Sequence, residues 1–275
     1  MRARSLAAMA LTLAGLGACR EEPTSPDAGG GAAGFGAMGS GGSGGSGGSY
    51  VCSSSASVVH FITDDGVKLE ADDYPTGEAM GPSVVLLHMI PPANDRKNFP
   101  TAFLDALTKK KIRVLNVDRR GAGASAGVAA DAYLGDKGKL DAKAAIVHLT
   151  QGECPVDPLR IGIVGASNGT TTALDYTLEA AAHAELTFPS ALVFLTGGAY
   201  TENQAKISDF MPDLEMLPIE FVFAKDEAAW SQGYMTSAPS AWRFEEYDPG
   251  GHGTAMFDAR PESIETVAKF LSDVL

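Results

Sequence analysis

The sequence has few basic residues, few cysteines and, beyond its N-terminus, no long hydrophobic run. Only 21 Lys and Arg stand against 34 Asp and Glu, and the formal net charge of −13 would repel a nucleic-acid backbone. No apolar stretch of the main body is long enough to cross a bilayer. The cysteines and histidines show no zinc-binding spacing. These absences exclude a nucleic-acid-binding protein and a membrane-spanning bundle as predicted classes, and we expect no metal site.

The N-terminus carries an export signal. Residues 1–18 have the layout of a secretory signal peptide, with Arg2 and Arg4 ahead of an apolar run that ends in small residues. The segment Leu16-Gly17-Ala18-Cys19 resembles the lipobox of bacterial lipoproteins, in which the cysteine is acylated and becomes the new N-terminus. An ordinary signal peptide with an incidental cysteine is the alternative. We expect an exported lipoprotein of the cell envelope, held by a lipid on Cys19 at the outer membrane or a periplasm-facing membrane surface.

Residues 19–49 predict a flexible linker. They are rich in glycine and serine and contain almost nothing to bury, so they cannot offset the entropy of folding. A random coil of about thirty such residues spans roughly 30 Å. The remaining residues, 50–275, contain no internal repeat and no second change of composition, which predicts a single domain there.

Cys52 and Cys154 are the two cysteines of this domain. In an oxidising compartment such a pair favours a disulfide bond, which would tie the start of the domain to the segment before the fifth strand. Two free buried thiols are the alternative, because two cysteines in a sequence set no geometry.

From about residue 50, runs of strand length alternate with helical stretches. Strands are expected at Val58–Ile62, Lys68–Tyr74, Ser83–Met89, Ile112–Asp118, Leu159–Gly165, Ala191–Thr196, Ile219–Ala224 and Trp242–Tyr247, and helices at Phe99–Lys110, Lys139–Leu149, Thr171–Ala184 and Pro261–Leu275. The first two strands flank Asp64-Asp65-Gly66 and predict an antiparallel pair. Most later runs are apolar without alternation. They predict an α/β domain with a mainly parallel central sheet and helices on both faces.

The pattern Gly-x-Ser-x-Gly occurs around Ser43, Ser46, Ser125 and Ser167. A nucleophilic serine of this type needs a sharp turn between a buried strand and a helix, which exposes its Oγ and aims the next backbone N–H at the developing oxyanion. Only Ser167 has a strand-like run directly before it and a helical stretch directly after it. We predict Ser167 as the nucleophile. A structural tight turn is the alternative, and Ser125 is the rival serine.

A serine hydroxyl becomes nucleophilic when a base takes its proton and a carboxylate orients that base. Of the five histidines, His252 lies in a glycine-rich loop between the last strand and the final helix, so we predict it as the base. Asp226 follows the strand Ile219–Ala224 at the carboxyl edge of the sheet and is predicted as the acid. Glu227 is the adjacent alternative, and Asp248 is another, although it precedes the histidine loop.

Residues 58–275 resemble a serine α/β-hydrolase of the dienelactone-hydrolase-like and esterase branches. The matching segments are Leu86-Leu-His-Met89, Asp118-Arg-Arg-Gly-Ala-Gly-Ala-Ser125, Val156-Asp-Pro-Leu-Arg-Ile-Gly-Ile-Val-Gly-Ala-Ser-Asn-Gly169, Asp226 and Gly251-His-Gly253. Members often have His-Gly where this chain has His88-Met89. Dienelactone hydrolases carry a cysteine at the position of Ser167. In the segment that begins at Asp118, the charged residues and glycines are expected to fix a turn.

The resemblance implies an α/β-hydrolase fold and an oxyanion hole formed by the backbone N–H of Asn168 with that of Ile90 or Met89. It implies no metal and no organic cofactor. About twenty residues separate the strands Ala191–Thr196 and Ile219–Ala224, so we expect little or no lid and an open pocket for small or moderate acyl groups.

These expectations describe a membrane-tethered serine hydrolase that cleaves small-molecule carboxylic esters through an acyl-enzyme. An acyltransferase, an amidase or a peptidase with the same three residues is one alternative. A non-catalytic surface protein that binds a ligand on the same fold is another. The sequence leaves the substrate and the oligomeric state open.

Overall fold

The computed structural model describes residue 50 and residues 52–201, 204–209 and 211–275. The predicted signal peptide, the predicted lipidation residue Cys19 and the linker up to residue 49 lie outside the described residues. In the described part of the chain, no helix has the length and apolar character needed to cross a membrane.

One sheet organises the domain. Its strands are β1 (Ser57–Ile62), β2 (Lys68–Tyr74), β3 (Ser83–Leu87), β4 (Arg113–Val117), β5 (Ile161–Ala166), β6 (Ala191–Leu195), β7 (Ile219–Ala224) and β8 (Trp242–Tyr247). They lie in the order β1-β2-β4-β3-β5-β6-β7-β8. β1 and β2 form the predicted antiparallel pair, and β2 is also antiparallel to β4. All other neighbours are parallel, which confirms the prediction of a mainly parallel sheet.

Helices cover both faces of the sheet. They are α1 (Thr101–Lys109), α2 (Gly135–Gln151), α3 (Asn168–Ala182), α4 (Met211–Leu214), α5 (Ala229–Met235), α6 (Met256–Ala259) and α7 (Glu262–Val274). The predicted helical stretches correspond to α1, α2, α3 and α7. The short helices α4, α5 and α6 were not predicted, because four to seven residues are too few to show a helical period.

The strands separate two buried clusters of apolar side chains. On β5, Ile163 joins Leu174 of α3 on one face, whereas Val164 joins Leu271 of α7 on the other. Every side chain of β5 is buried. This two-sided burial is the reason why the central strands are apolar without alternation.

Cys52 and Cys154 form a disulfide bond, with Cα atoms 5.3 Å apart and 102 residues between them in sequence. The bond attaches the segment before β1 to the loop before β5, as expected. The carbonyl oxygen of Cys154 also accepts a hydrogen bond of 2.6 Å from Arg113 Nη1. A covalent bond therefore fixes the start of the domain to the end of the sheet at which β4 and β5 begin.

Glu220 is a carboxyl group buried within β7. It is 1% exposed, and its Oε2 has no hydrogen-bond partner among the described residues. Burial is the main reason why the pKa of Glu220 rises to about 8; the charges of Glu245 and Asp273 act in the same direction, and Arg243 opposes them. The folded protein therefore holds a proton on Glu220 at neutral pH.

The contribution of Glu220 to stability is expected to fall as the pH rises from 4.5 towards about 8, because the unfolded chain releases the Glu220 proton near 4.5 while the folded chain retains it. Glu220→Gln is neutral and nearly isosteric, so it should remove this part of the pH dependence. Thermal unfolding near the two ends of this range measures the effect. Glu246→Gln, on the neighbouring strand β8, is the control and should unfold with the wild-type pH dependence. A Glu220→Gln variant with wild-type pH dependence would contradict the prediction.

Candidate active site

Ser167 occupies the sharp turn between β5 and α3. Its φ of 50° and ψ of −121° place a non-glycine residue in a strained conformation of the kind found at nucleophile turns. A Cβ on Gly165 would lie 2.6 Å from the carbonyl oxygen of Gly169, and a Cβ on Gly169 would collide with the carbonyl oxygen of Leu87. The Ser167 N–H donates a 2.8 Å hydrogen bond to the Leu195 carbonyl of β6. Glycine on both sides thus permits the turn, and the sheet fixes it.

The imidazole of His252 contacts the serine, since its Nε2 lies 2.7 Å from Ser167 Oγ. The histidine follows β8 in the glycine-rich loop, and the next residue, Gly253, donates its N–H to Thr196 Oγ1 at 2.9 Å. Gly253 has a φ of 55°, and a Cβ there would lie 2.6 Å from Met89 Sδ. The loop therefore packs closely over the carboxyl ends of β3 and β6, and this packing brings the imidazole to the serine.

Glu227 is the carboxylate that contacts the histidine. His252 Nδ1 lies 2.9 Å from Glu227 Oε1 and 3.0 Å from Oε2. No hydrogen bond joins Asp226 to His252 in the part of the chain that the structure describes, and Asp248 instead pairs with Lys225 at 2.8 Å. The structure thus corrects the expectation for Asp226. Residues 225–227 form a tight 3₁₀ turn after β7, so adjacent side chains diverge by roughly 120° and only one of the two carboxylates faces the imidazole.

The three side chains form one hydrogen-bonded chain. Because a carboxylate only accepts, His252 Nδ1–H donates to Glu227, and Nε2 is left to accept the hydroxyl proton of Ser167. Ser167 is 5% exposed, whereas the side chains of His252 and Glu227 are 41% and 36% exposed. The serine thus lies at the base of the site and the base–acid pair opens to solvent. This geometry is suited to the transfer of the Ser167 proton to His252.

The backbone donors expected for an oxyanion lie beside this chain. Asn168 is the first residue of α3, where an N–H has no helical carbonyl to bond. Met89 and Ile90 follow β3, the parallel neighbour of β5. Within the described residues, the backbone N–H groups of these three donate to no protein acceptor. The structure leaves them available for an anionic oxygen.

Tyr200 is a residue of the site for which the sequence contains no motif. Its ring meets that of His252 edge-on, with centroids 6.1 Å apart, and its hydroxyl donates to the Thr196 carbonyl at 2.6 Å. Burial raises the pKa of Tyr200 to about 12, and a hydrogen bond with Ser167 opposes the shift. The phenol is therefore neutral beside the serine. The sequence signal that could have indicated Tyr200 is its position shortly after β6, at the carboxyl edge of the sheet.

Ser125 is held in a turn, and no hydrogen bond joins its Oγ to a histidine in the described residues. Its Oγ donates to the Asp118 carbonyl at 2.6 Å and accepts the Glu70 N–H at 2.8 Å. The Asp118 carboxylate accepts from Arg96 and from the Ala124 N–H, so the charged residues of this segment hold a loop. Over the described ranges, no group of three or more His, Cys, Asp or Glu side chains is placed to hold a metal ion.

Solved structures share this arrangement of sheet and helices. An esterase from Pyrococcus furiosus is 18% identical, with 80% of this chain and 91% of that chain covered and a TM-score of 0.57. A dienelactone hydrolase from Anabaena variabilis is 16% identical, with 80% and 96% covered and a TM-score of 0.56. This chain has the α/β-hydrolase fold. A bottromycin epimerase is similar as well, at 17% identity, 78% and 99% coverage and a TM-score of 0.56.

The likeness establishes the fold and not the reaction. No protein-family profile matches the α/β-hydrolase chain described here, and no curated protein matches it either. One structural neighbour is named an esterase and another an epimerase, so the same fold serves different chemistry. Function therefore has to be argued from the side chains of the site.

Proposed function

We propose that this protein is a serine hydrolase that cleaves small-molecule carboxylic esters through an acyl-enzyme on Ser167. The observation that carries the proposal is the hydrogen-bonded chain from Glu227 through His252 to Ser167, with contacts of 2.9 Å and 2.7 Å. The strained turn at Ser167 and the similarity in fold to an esterase support it.

In the first step His252 Nε2 takes the hydroxyl proton while Ser167 Oγ bonds to the ester carbonyl carbon. The π electrons of the carbonyl move to its oxygen, which becomes an oxyanion. The backbone N–H of Asn168 and those of Met89 and Ile90 are the proposed donors to this oxygen, and each such donor typically contributes about 10²–10³ in rate. Glu227 stabilises the imidazolium that forms on His252.

In the second step the imidazolium gives its proton to the leaving alkoxide as the ester bond breaks, which leaves the acyl group on Ser167. Water then loses a proton to His252 and attacks the acyl carbon. Collapse of this second oxyanion releases the carboxylic acid and returns the proton to Ser167 Oγ. The partly exposed His252 gives water a route to the acyl-enzyme.

The segment between β6 and β7 supports a preference for small or moderate acyl groups. Its α-helix in the described ranges is α4, which has four residues. Tyr200 instead lies against the His252 ring, and Met89 lies against Gly253, the residue after that histidine. Hydrolysis confined to long-chain lipid esters would contradict this part of the proposal.

A fluorophosphonate probe should label the full-length protein on Ser167, because only a serine with an adjacent base attacks phosphorus at a useful rate. Mass spectrometry of the labelled peptide identifies the residue. Ser167→Ala should abolish labelling, and Ser125→Ala, which removes the hydroxyl of the other candidate turn, should retain it. A folded wild-type protein that takes no label, or that is labelled on Ser125, would overturn the proposal.

Glu227→Gln should lower kcat for ester hydrolysis by about 10²–10⁴-fold, because an amide cannot stabilise the imidazolium and can favour the wrong tautomer. KM should change little. The matched control is Asp226→Asn, one residue earlier in the same turn, which should keep kcat within about twofold since, among the described residues, His252 Nδ1 bonds to Glu227 and no hydrogen bond joins it to Asp226. The reverse result, with the large loss in Asp226→Asn, would return the role to Asp226.

We propose in addition that a lipid on Cys19 tethers the enzyme to the cell envelope, on the basis of the lipobox-like sequence Leu16-Gly17-Ala18-Cys19. Expression in bacteria fed with labelled palmitate should give a labelled membrane-associated protein. Cys19→Ser should lose the label while it keeps ester hydrolysis. A wild-type protein without label, or label that persists in Cys19→Ser, would contradict the tether.

A further inference from the structure

Arg119 is a fully buried arginine behind the candidate site. It follows β4, is 0% exposed and forms no salt bridge with any carboxylate of the described residues. Burial lowers the pKa of Arg119 to about 10, so the guanidinium remains protonated at neutral pH. A buried cation without a carboxylate is costly unless neutral acceptors surround it. The position of those acceptors indicates what the side chain does.

The acceptors lie on the two segments that carry the candidate oxyanion donors. Nη1 donates to the carbonyl oxygens of His88 at 3.2 Å and Met89 at 3.4 Å, in the loop after β3. Nη2 donates to Asn168 Oδ1 at 3.0 Å and to Thr172 Oγ1 at 2.7 Å, both at the start of α3. The carbonyl oxygen of Ala132, outside these two segments, lies 2.8 Å from Nη2 and shares its two N–H groups with these acceptors. One guanidinium therefore joins the loop and the helix.

Because the peptide group is planar, these carbonyl contacts also determine the direction of the N–H groups in the same peptides. In a trans peptide the carbonyl and the following N–H point in opposite directions. The His88 and Met89 carbonyls point to Arg119, so the N–H groups of Met89 and Ile90 point away from it. Arg119 thus fixes the direction of both candidate donors of the loop.

His88 reinforces the same arrangement. Its Nδ1 donates to the Met89 carbonyl at 2.7 Å, and its Nε2 accepts the backbone N–H of Arg119 at 3.0 Å. Burial and the charge of Arg119 lower the pKa of His88 to about 3, so the ring is neutral. A neutral ring with one donor and one acceptor fits these two bonds and leaves neither nitrogen unpaired.

We infer that Arg119 is a positioning residue that preorganises the oxyanion hole by holding the Met89–Ile90 loop against Asn168. The inference rests on the proposed function of Ser167. Because Arg119 is fully buried, it acts through the backbone donors and not on the substrate. An oxyanion exists only along the reaction path, so loss of this support should lower kcat more than it raises KM.

The test compares three variants of the full-length protein. Arg119→Met removes the charge and the donors at similar length, and Arg119→Lys keeps the charge but loses the two-sided fork. Arg113→Met is the control, because Arg113 is a second buried arginine, at the start of β4, and its partners, Asp73 and the Cys154 carbonyl, lie outside the site. Thermal unfolding, kcat and KM for a short-chain ester are measured for each.

Arg119→Met should lower kcat by about 10²-fold or more with KM within about threefold, the size of effect expected for a lost oxyanion donor. Arg119→Lys should fall between Arg119→Met and wild type. Arg113→Met should melt earlier but keep the wild-type kcat at temperatures where it is folded. If Arg119→Met does not fold, Arg119→Lys decides the outcome by the same split between kcat and KM.

A trifluoromethyl ketone gives a second readout. Ser167 Oγ adds to the ketone carbon, the carbonyl electrons move to oxygen and His252 takes the proton, so the adduct is an oxyanion. Its affinity should fall in parallel with kcat in the Arg119 variants. Folded Arg119 variants with wild-type kcat and inhibitor affinity would overturn the inference alone. A folded wild-type protein that neither hydrolyses esters nor takes a fluorophosphonate label would overturn the proposed function and the inference with it.

Discussion

The close approach of the backbone around Ser167 is the constraint on which the rest of the site depends. The turn brings Gly169 against Leu87 at the end of β3, and only a hydrogen atom fits between them. That contact places Ser167 where the parallel strands end, so the loops after β3, β6, β7 and β8 converge on one side chain. Their contributions are the loop of Met89 and Ile90, then Tyr200, Glu227 and His252. The strain at Ser167 is tolerated because the sheet holds both sides of the turn.

The spacing of apolar residues in the sequence predicted those strands and helices whose side chains are buried in the core. The strands β3 to β7 and the four longer helices follow from apolar runs and helical periodicity, since two-sided burial leaves a strong local signal, whereas the pair β1 and β2 follows from the turn between them. The same reasoning selected Ser167 and His252, which the structure places 2.7 Å apart, because each lies in a loop whose type is set by neighbouring elements. It placed the acid one residue early. The difference between Asp226 and Glu227 arises in a single 3₁₀ turn, and no pattern in the sequence fixes its rotation.

Tyr200 and Arg119 lay beyond such prediction for a related reason. Each owes its position to contacts between segments that are far apart in the chain. Arg119 meets the loop after β3 some thirty residues earlier and α3 some fifty residues later. Its sequence context predicted only that the segment fixes a turn, and arginine is rarely fully buried without a carboxylate. Only the three-dimensional arrangement of carbonyl, amide and hydroxyl acceptors accounts for its burial.

The Glu227–His252 pair and the surroundings of the candidate oxyanion donors differ in their exposure to solvent. This difference affects where the rate enhancement would arise. Glu227 and His252 are partly open to solvent, so water and salt screen their interaction. Behind the candidate oxyanion donors, Asn168, His88 and Arg119 are almost fully buried, although Ile90 itself is 43% exposed. Electrostatic interactions are stronger in such an interior, and fixed donors there need not reorganise as charge develops. In the proposed mechanism the N–H donors therefore stabilise the oxyanion with less solvent screening than Glu227 meets when it stabilises the imidazolium.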